Sequence, residues 1–201
     1  MLFDRVSLSY LMVVLKKFGF SKEIIEVIQA CITDPWIVPL INGRPSDFFQ
    51  SSRGLRQGCP LSPFLYIIMA DTLSRALEKT RRERTIMGLQ ISKGIKSINH
   101  SLFADETLLL GAASSIIARR FKNVLDNFLQ VSSGLLNNTK CRIYGWNTSP
   151  RTMQRIPQIL EIPIQERWTH FFYLGLPISK ENLKAEIWIK QIEKMKEKIQ
   201  K

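Results

Sequence analysis

The sequence predicts an α+β domain with antiparallel strands. Three observations carry that expectation. Apolar stripes at helical spacing alternate with short apolar runs of strand length, an Asn42-Gly43 pair marks a tight hairpin, and the acidic step Asp105-Glu106 sits between two apolar runs. A chain of 201 residues with 45% apolar content is long enough to bury one ordinary core. No apolar run reaches the length of a membrane span, and no signal-peptide pattern opens the chain.

Taken in order, Val6, Tyr10, Leu11, Val14, Leu15 and Phe18 form one helical stripe, with Gly19 placed to end it. Ser21 reads as the N-cap of a second helix whose Ile24, Ile25, Ile28 and Ile32 point inward, and Asp34-Pro35 stops it. Trp36 to Ile41 reads as a strand that Pro39 confines to an edge or bulge. Asn42-Gly43 then predicts a type I′ turn, with a return strand through Phe48, Phe49 and Gln50.

The stretch Ser51 to Pro63 is a loop with two glycines and two arginines, and Ser62-Pro63 predicts an N-cap and first turn. Glycines allow close backbone approach to a ligand, and backbone N–H groups near a helix start suit phosphates; a basic loop entering a core helix is the plainer alternative. The helix that follows carries Phe64, Leu65, Ile68, Leu73, Ala76 and Leu77 on one face and ends in Arg81-Arg82-Glu83-Arg84. Residues 89–91 and 95–98 read as short strands around Lys93-Gly94.

Beyond the acidic step, Ser114 caps a helix with Ile117, Phe121, Leu125, Phe128 and Leu129 inward, closed near Gly134. A turn-rich step leads to a strand around Arg142-Ile143-Tyr144. Ser149-Pro150 opens a short helix that stops by Pro163, and Phe171 to Pro177 reads as a strand kinked at Gly175. Trp188, Ile192, Met195 and Ile199 stripe a lysine-rich final helix.

The charge balance narrows the partners. Lys+Arg 29 against Asp+Glu 17 gives a formal +12, which suits nucleic acid or an anionic membrane surface. No membrane-anchoring amphipathic helix stands out before the C-terminal one, so phosphate-backbone binding is the expectation. Cys31, Cys59 and Cys141 match neither a zinc pattern nor a disulfide framework, which makes a reducing compartment the default.

The stretch Ser101 to Gly111 holds the chemistry. Leu102-Phe103 precede Ala104-Asp105-Glu106, and Thr107 to Leu110 follow, so a hairpin carrying two carboxylates at its tip is expected. Carboxylates pinned between apolar strands need a cationic partner, and a hard ion such as Mg²⁺ accepts one or two of them alongside phosphate oxygens. An exposed turn between hydrophobic strands is the other reading.

Several segments together resemble one family. Arg53-Gly54-Leu55-Arg56-Gln57-Gly58-Cys59-Pro60-Leu61-Ser62-Pro63 resembles the Arg-Gly-x-Arg-Gln-Gly-x-Pro-Leu-Ser-Pro block of reverse transcriptases from non-LTR retrotransposons, the LINE type common in plants. Phe103-Ala104-Asp105-Glu106 is similar to that family's Phe-Ala-Asp-Asp box, and Tyr173-Leu174-Gly175 to its later primer-holding segment. Asn42 to Ser46, Ser133-Gly134-Leu135 and Lys140 add smaller matches.

The resemblance implies a polymerase palm, an antiparallel sheet with packed helices, and partial fingers over residues 1–178, with the start of a thumb helix over 179–201. It implies template-directed nucleotide addition with RNA template, DNA primer and dNTP as partners, Mg²⁺ as cofactor, no membrane association, and residence in nucleus or cytoplasm. Asp105 and Glu106 would be the metal-binding catalytic residues. Phe3, Arg56, Gln57, Gly58 and Lys140 would contact substrate, and Tyr173, Leu174 and Gly175 the primer end.

Two departures from the family pattern predict impaired activity, or at the extreme a catalytically dead remnant that still binds nucleic acid. The family's first metal-binding aspartate precedes the aspartate of an Ala-Phe-Asp step by six residues; here the step reads Leu2-Phe3-Asp4, which puts that ligand upstream of Met1. Glu106 stands where the family has aspartate, and its extra methylene moves the carboxylate by the ~1.5 Å of a C–C bond.

Overall fold

The computed structural model describes residues 5–33, 36–50, 53–56, 58–180, 188–189, 192–193 and 195–197. The chain divides into two compact units, residues 1–112 with 119–137, and residues 113–118 with 138–201. Helices mix with small antiparallel sheets, and the described strands pair two by two, in four separate ladders.

The first unit holds three whole helices and most of a fourth. Helix α1 (Leu8–Lys17) is capped by Ser7, whose hydroxyl accepts the Tyr10 N–H, and Gly19 at φ 91° ends it as expected. Helix α2 (Lys22–Ile32) takes Ser21 as its cap. Val6, Leu11, Leu15, Ile32, Leu55, Leu65, Tyr66 and Met69 form the core, with Ile25, Ile28 and Phe128 packed against it. Each fully buried aliphatic chain here contributes about 1.5–3 kcal/mol. Two expected core residues face outward instead. Ile24 is exposed because α2 packs along the line of Ile25, Ile28 and Ile32, and Phe18 lies at the end of α1 with the Arg75 guanidinium over its ring at 4.9 Å.

Strands β1 (Trp36–Ile37) and β4 (Phe49–Gln50) pair outside a second ladder of β2 (Leu40–Ile41) and β3 (Arg44–Pro45). Pro39 breaks the run as its missing N–H requires, while its carbonyl accepts the Ser46 N–H at 2.9 Å. Asn42 and Gly43 both take positive φ, as a type I′ turn demands. Phe48 is exposed and outside the strand. The helix stop expected at Asp34-Pro35 lies outside the described residues.

Helix α3 (Ser62–Arg82) begins one residue earlier than its Ser-Pro pair suggests. Leu61 is the N-cap and makes no side-chain cap bond, because the Ser62 hydroxyl is turned back to the loop, donating to the Arg56 carbonyl at 2.7 Å. The buried face runs through Leu65, Tyr66, Met69, Leu73 and Leu77, which leaves Phe64 in solvent, contrary to the expected stripe. After α3, Leu89 and Ile98 form a single antiparallel bridge rather than the two expected strands.

Strands β5 (His100–Phe103) and β6 (Glu106–Leu109) form the expected hairpin, with Phe103 opposite Glu106. Helix α4 (Ser115–Ser132) has Ser114 as its cap, the hydroxyl accepting the Ile117 N–H, and buries Phe121. Its last carbonyl, on Ser132, accepts the Ser7 N–H at 3.0 Å.

In the second unit, α5 (Pro150–Leu160) starts at Ser149 and ends at Glu161 in the left-handed region. The strand expected at 142–144 is a single parallel bridge between Ile143 and Ile164. The kinked strand expected at 171–177 is a hairpin of β7 (His170–Tyr173) and β8 (Leu176–Ser179), because Leu174 and Gly175 both take positive φ and reverse the chain. Tyr144 stacks on Phe171 at 4.1 Å, Trp168 meets both edge-on, and Lys180 caps the Trp168 ring. Helical geometry recurs at 188–189, 192–193 and 195–197, where Trp188, Ile192 and Met195 are exposed; Ile199 lies outside the described residues.

Candidate functional site

The first unit brings the arginine-glycine loop and the acidic hairpin to one end of α3. Leu55 is buried in the core between exposed Arg53 and Arg56, and the Gly54 N–H donates to the Val6 carbonyl at 3.1 Å. The Arg56 carbonyl accepts both the Ser62 hydroxyl and the Cys59 N–H, folding the loop into a turn on which Gly58 takes φ 83°. Apolar anchoring of Leu55 is thus what keeps Arg56 presented to solvent.

One helical turn further along α3, Tyr66 supports the hairpin tip. Its hydroxyl donates to the Ala104 carbonyl at 3.2 Å, across 38 residues of sequence. Ala104 and Asp105 are the two turn residues, and Ala104 takes φ 49°, a conformation that costs an L-residue roughly 1–2 kcal/mol. Burial, reinforced by the Asp105 charge, pushes the Tyr66 phenol up to about 12, so it stays a donor throughout the neutral range.

Asp105 and Glu106 are both exposed rather than a buried pair. Among the described residues no three His, Cys, Asp or Glu side chains converge on one point. The two carboxylates offer hard oxygen donors with open positions around them, which fits Mg²⁺ in the form it usually takes, with retained waters and phosphate oxygens completing the shell.

The base of the hairpin is held by residues that sequence reasoning passed over. Asn99 is 1% exposed, and its amide donates to the Leu77 carbonyl at 2.8 Å, with Thr80 and the Ile86 carbonyl also in reach. Its oxygen therefore faces His100 Nδ1 as an acceptor at 2.7 Å, which assigns the imidazole proton to Nδ1 and leaves Nε2 to accept the Ser74 hydroxyl at 2.7 Å. A lone Asn before an apolar run gives no signal of this in the sequence.

Burial lowers the His100 pKa, with Arg81 acting in the same direction and Glu78 against it. A depressed histidine pKa contributes stability that is complete above the unfolded value of about 6.5 and is lost as pH falls through the folded value. Thermal melts should therefore show a lower midpoint at pH 5 than at pH 7.5, and His100→Gln should flatten that window. Glu78, held at about 2 by Arg81 and then Arg82, does not titrate there.

Of the other candidates, Lys140 and the Tyr173-Leu174-Gly175 segment belong to the second unit, where Lys140 is exposed and Leu174-Gly175 form the β7–β8 turn. Phe3 and Gln57 lie outside the described residues.

Residues 1–178 match the family model described as reverse transcriptase (RNA-dependent DNA polymerase). The chain is 40% identical over 72 residues, 36% of its length, to an uncharacterised mitochondrial protein of Arabidopsis thaliana. It is 26% identical over 181 residues, 87% of its length, to a retrovirus-related Pol polyprotein from a type-2 retrotransposable element of Drosophila melanogaster. To the corresponding polyprotein from a type-1 element of Popillia japonica it is 28% identical over 181 residues, 86% of its length. The matched regions span 59%, 16% and 24% of these relatives, respectively.

Proposed function

Because the chain belongs to the reverse transcriptase (RNA-dependent DNA polymerase) family, we propose that it carries the nucleotide-adding region of a non-LTR retroelement polymerase, with activity impaired at Glu106. The observation that carries this reading is the placing of Asp105 on a hairpin tip tied to the same helix as the Arg56–Gly58 loop. In this reading residues 1–178 are a palm with partial fingers, residues 179–201 begin the thumb, and the protein works in nucleus or cytoplasm.

Asp105 and Glu106 would hold Mg²⁺, and the ion would neutralise phosphate charge and orient the attacking and leaving oxygens. Arg56 pairs with phosphate as an exposed, permanently charged fork, and Gly58 lets a substrate approach the backbone. By the family resemblance Gln57, Phe3 and Lys140 would contact nucleotide, and Tyr173-Leu174-Gly175 the primer end. RNA template, DNA primer and dNTP are the partners.

A remnant that binds nucleic acid without catalysis is the second reading, favoured by Glu106 itself. Catalytic constellations tolerate only about 0.5 Å of looseness, less than one C–C bond of displacement. Primer extension by the whole chain with Mg²⁺ separates the two. Glu106→Asp is expected to raise extension by about tenfold or more, at ~1.4 kcal/mol per decade. No extension by either protein, together with binding that weakens steeply as salt rises, supports the remnant.

A further inference from the structure

We propose that Tyr66 is a positioning residue for the metal-binding carboxylates, its hydroxyl locking the Ala104 carbonyl so that the left-handed turn presents Asp105 outward. This rests on the reading of Asp105 as a metal ligand. Three observations converge on it. The tip takes a backbone conformation that alanine does not favour, so something other than local preference must hold it. The Tyr66 ring is 5% exposed within the core of the first unit, which makes it a rigid support. And the hydroxyl reaches past the apolar body of the ring to the one turn carbonyl adjacent to Asp105.

Ser62 gives the arrangement its logic. It lies four residues before Tyr66, about 6 Å along the same face of α3, and its hydroxyl holds the Arg56 carbonyl. One turn of helix thus sets the spacing between a phosphate-pairing loop and a metal-binding tip. Errors of placement between the two are limited by the helix, the stiffest element available, rather than by the loops that bear the functional groups.

The test is Tyr66→Phe, which removes one oxygen and keeps the packed ring. Mn²⁺ uptake, read by the loss of the free-ion EPR signal, reports the metal site; amide hydrogen exchange over residues 103–107 reports the tip; a thermal melt reports the fold. The variant should melt close to the parent, bind Mn²⁺ about threefold to tenfold more weakly, as expected for one lost hydrogen bond, and exchange faster at the tip while α1 and α2 stay protected. Equal Mn²⁺ affinity and equal tip exchange in the two proteins would overturn the proposal. A parent that takes up no Mn²⁺ counts against the polymerase reading instead, and the tip exchange then decides the positioning role by itself.

Discussion

Asp105→Asn is expected to remove divalent-metal binding at the hairpin tip and to lower Mg²⁺-dependent primer extension by on the order of 10²–10⁴. Asparagine keeps the shape and tolerates the turn, so the loss would be of charge and of a metal donor, not of fold. Asp105 is exposed, and an exposed substitution of this kind changes stability by no more than about 0.5 kcal/mol. The same change has a second readout. With the Asp105 charge gone, the Tyr66 phenol should titrate below its present value of about 12, while burial, the larger cause, keeps it above its ordinary range. An ultraviolet titration follows that shift directly. Extension and Mn²⁺ uptake unchanged from the parent would remove Asp105 from the chemistry.

Gly88→Ala should produce a large loss of stability. Gly88 takes φ 78°, and a Cβ there would lie inside van der Waals contact of the Ile98 carbonyl and the Asn99 Cα. The clash is with backbone, so no side-chain rotation relieves it. The left-handed conformation costs about 1–2 kcal/mol and the overpacking about 1–3, for a total of roughly 2–5 kcal/mol in denaturant melts. At about 2–4 °C per kcal/mol the midpoint would fall by roughly 4–20 °C. Gly43→Ala is the control: its φ is similar at 76°, but nothing lies within 4 Å of the added Cβ, so the loss there should be about 1–2 kcal/mol. Equal losses at the two sites would show that the 88–98 approach relaxes. The consequence reaches the site, since Leu89 and Ile98 exchange hydrogen bonds of 2.8 Å immediately before the Asn99 clamp on the β5–β6 hairpin.

What could be read from the sequence follows the range of the forces involved. Caps and tight turns are local, and Ser21, Ser114, Ser149 and Asn42-Gly43 behave as their chemistry dictates. Leu174-Gly175 is equally local, but Leu at a positive φ is unusual enough that the sequence pattern there suggests a kink rather than a reversal. Which residues of a stripe become buried depends on what packs against them, and that is why Ile24 and Phe64 differ from expectation. For the site, residue types and spacing point to Asp105, Glu106 and Arg56. Their supports, Ser62, Tyr66, Asn99 and His100, act through contacts between residues distant in sequence or through a rotamer turned away from its usual partner. No periodicity encodes those.

The bond from the Ser7 N–H to the Ser132 carbonyl has a consequence for how the chain is made. It closes the first unit across about 125 residues, a contact whose loop-closure cost is met only once the later segment exists. Phe128 of α4 packs on the same core as Val6 and Leu11. At synthesis rates of about 5–20 residues per second, α1 waits roughly 6–25 s for α4 to emerge. During that interval Val6, Leu11 and Leu15 can pack against Ile32, Leu55, Leu65 and Met69, but the part of this core that Phe128 covers is open to chaperones and to misassociation. The arrival of α4 is therefore the last step in covering this core.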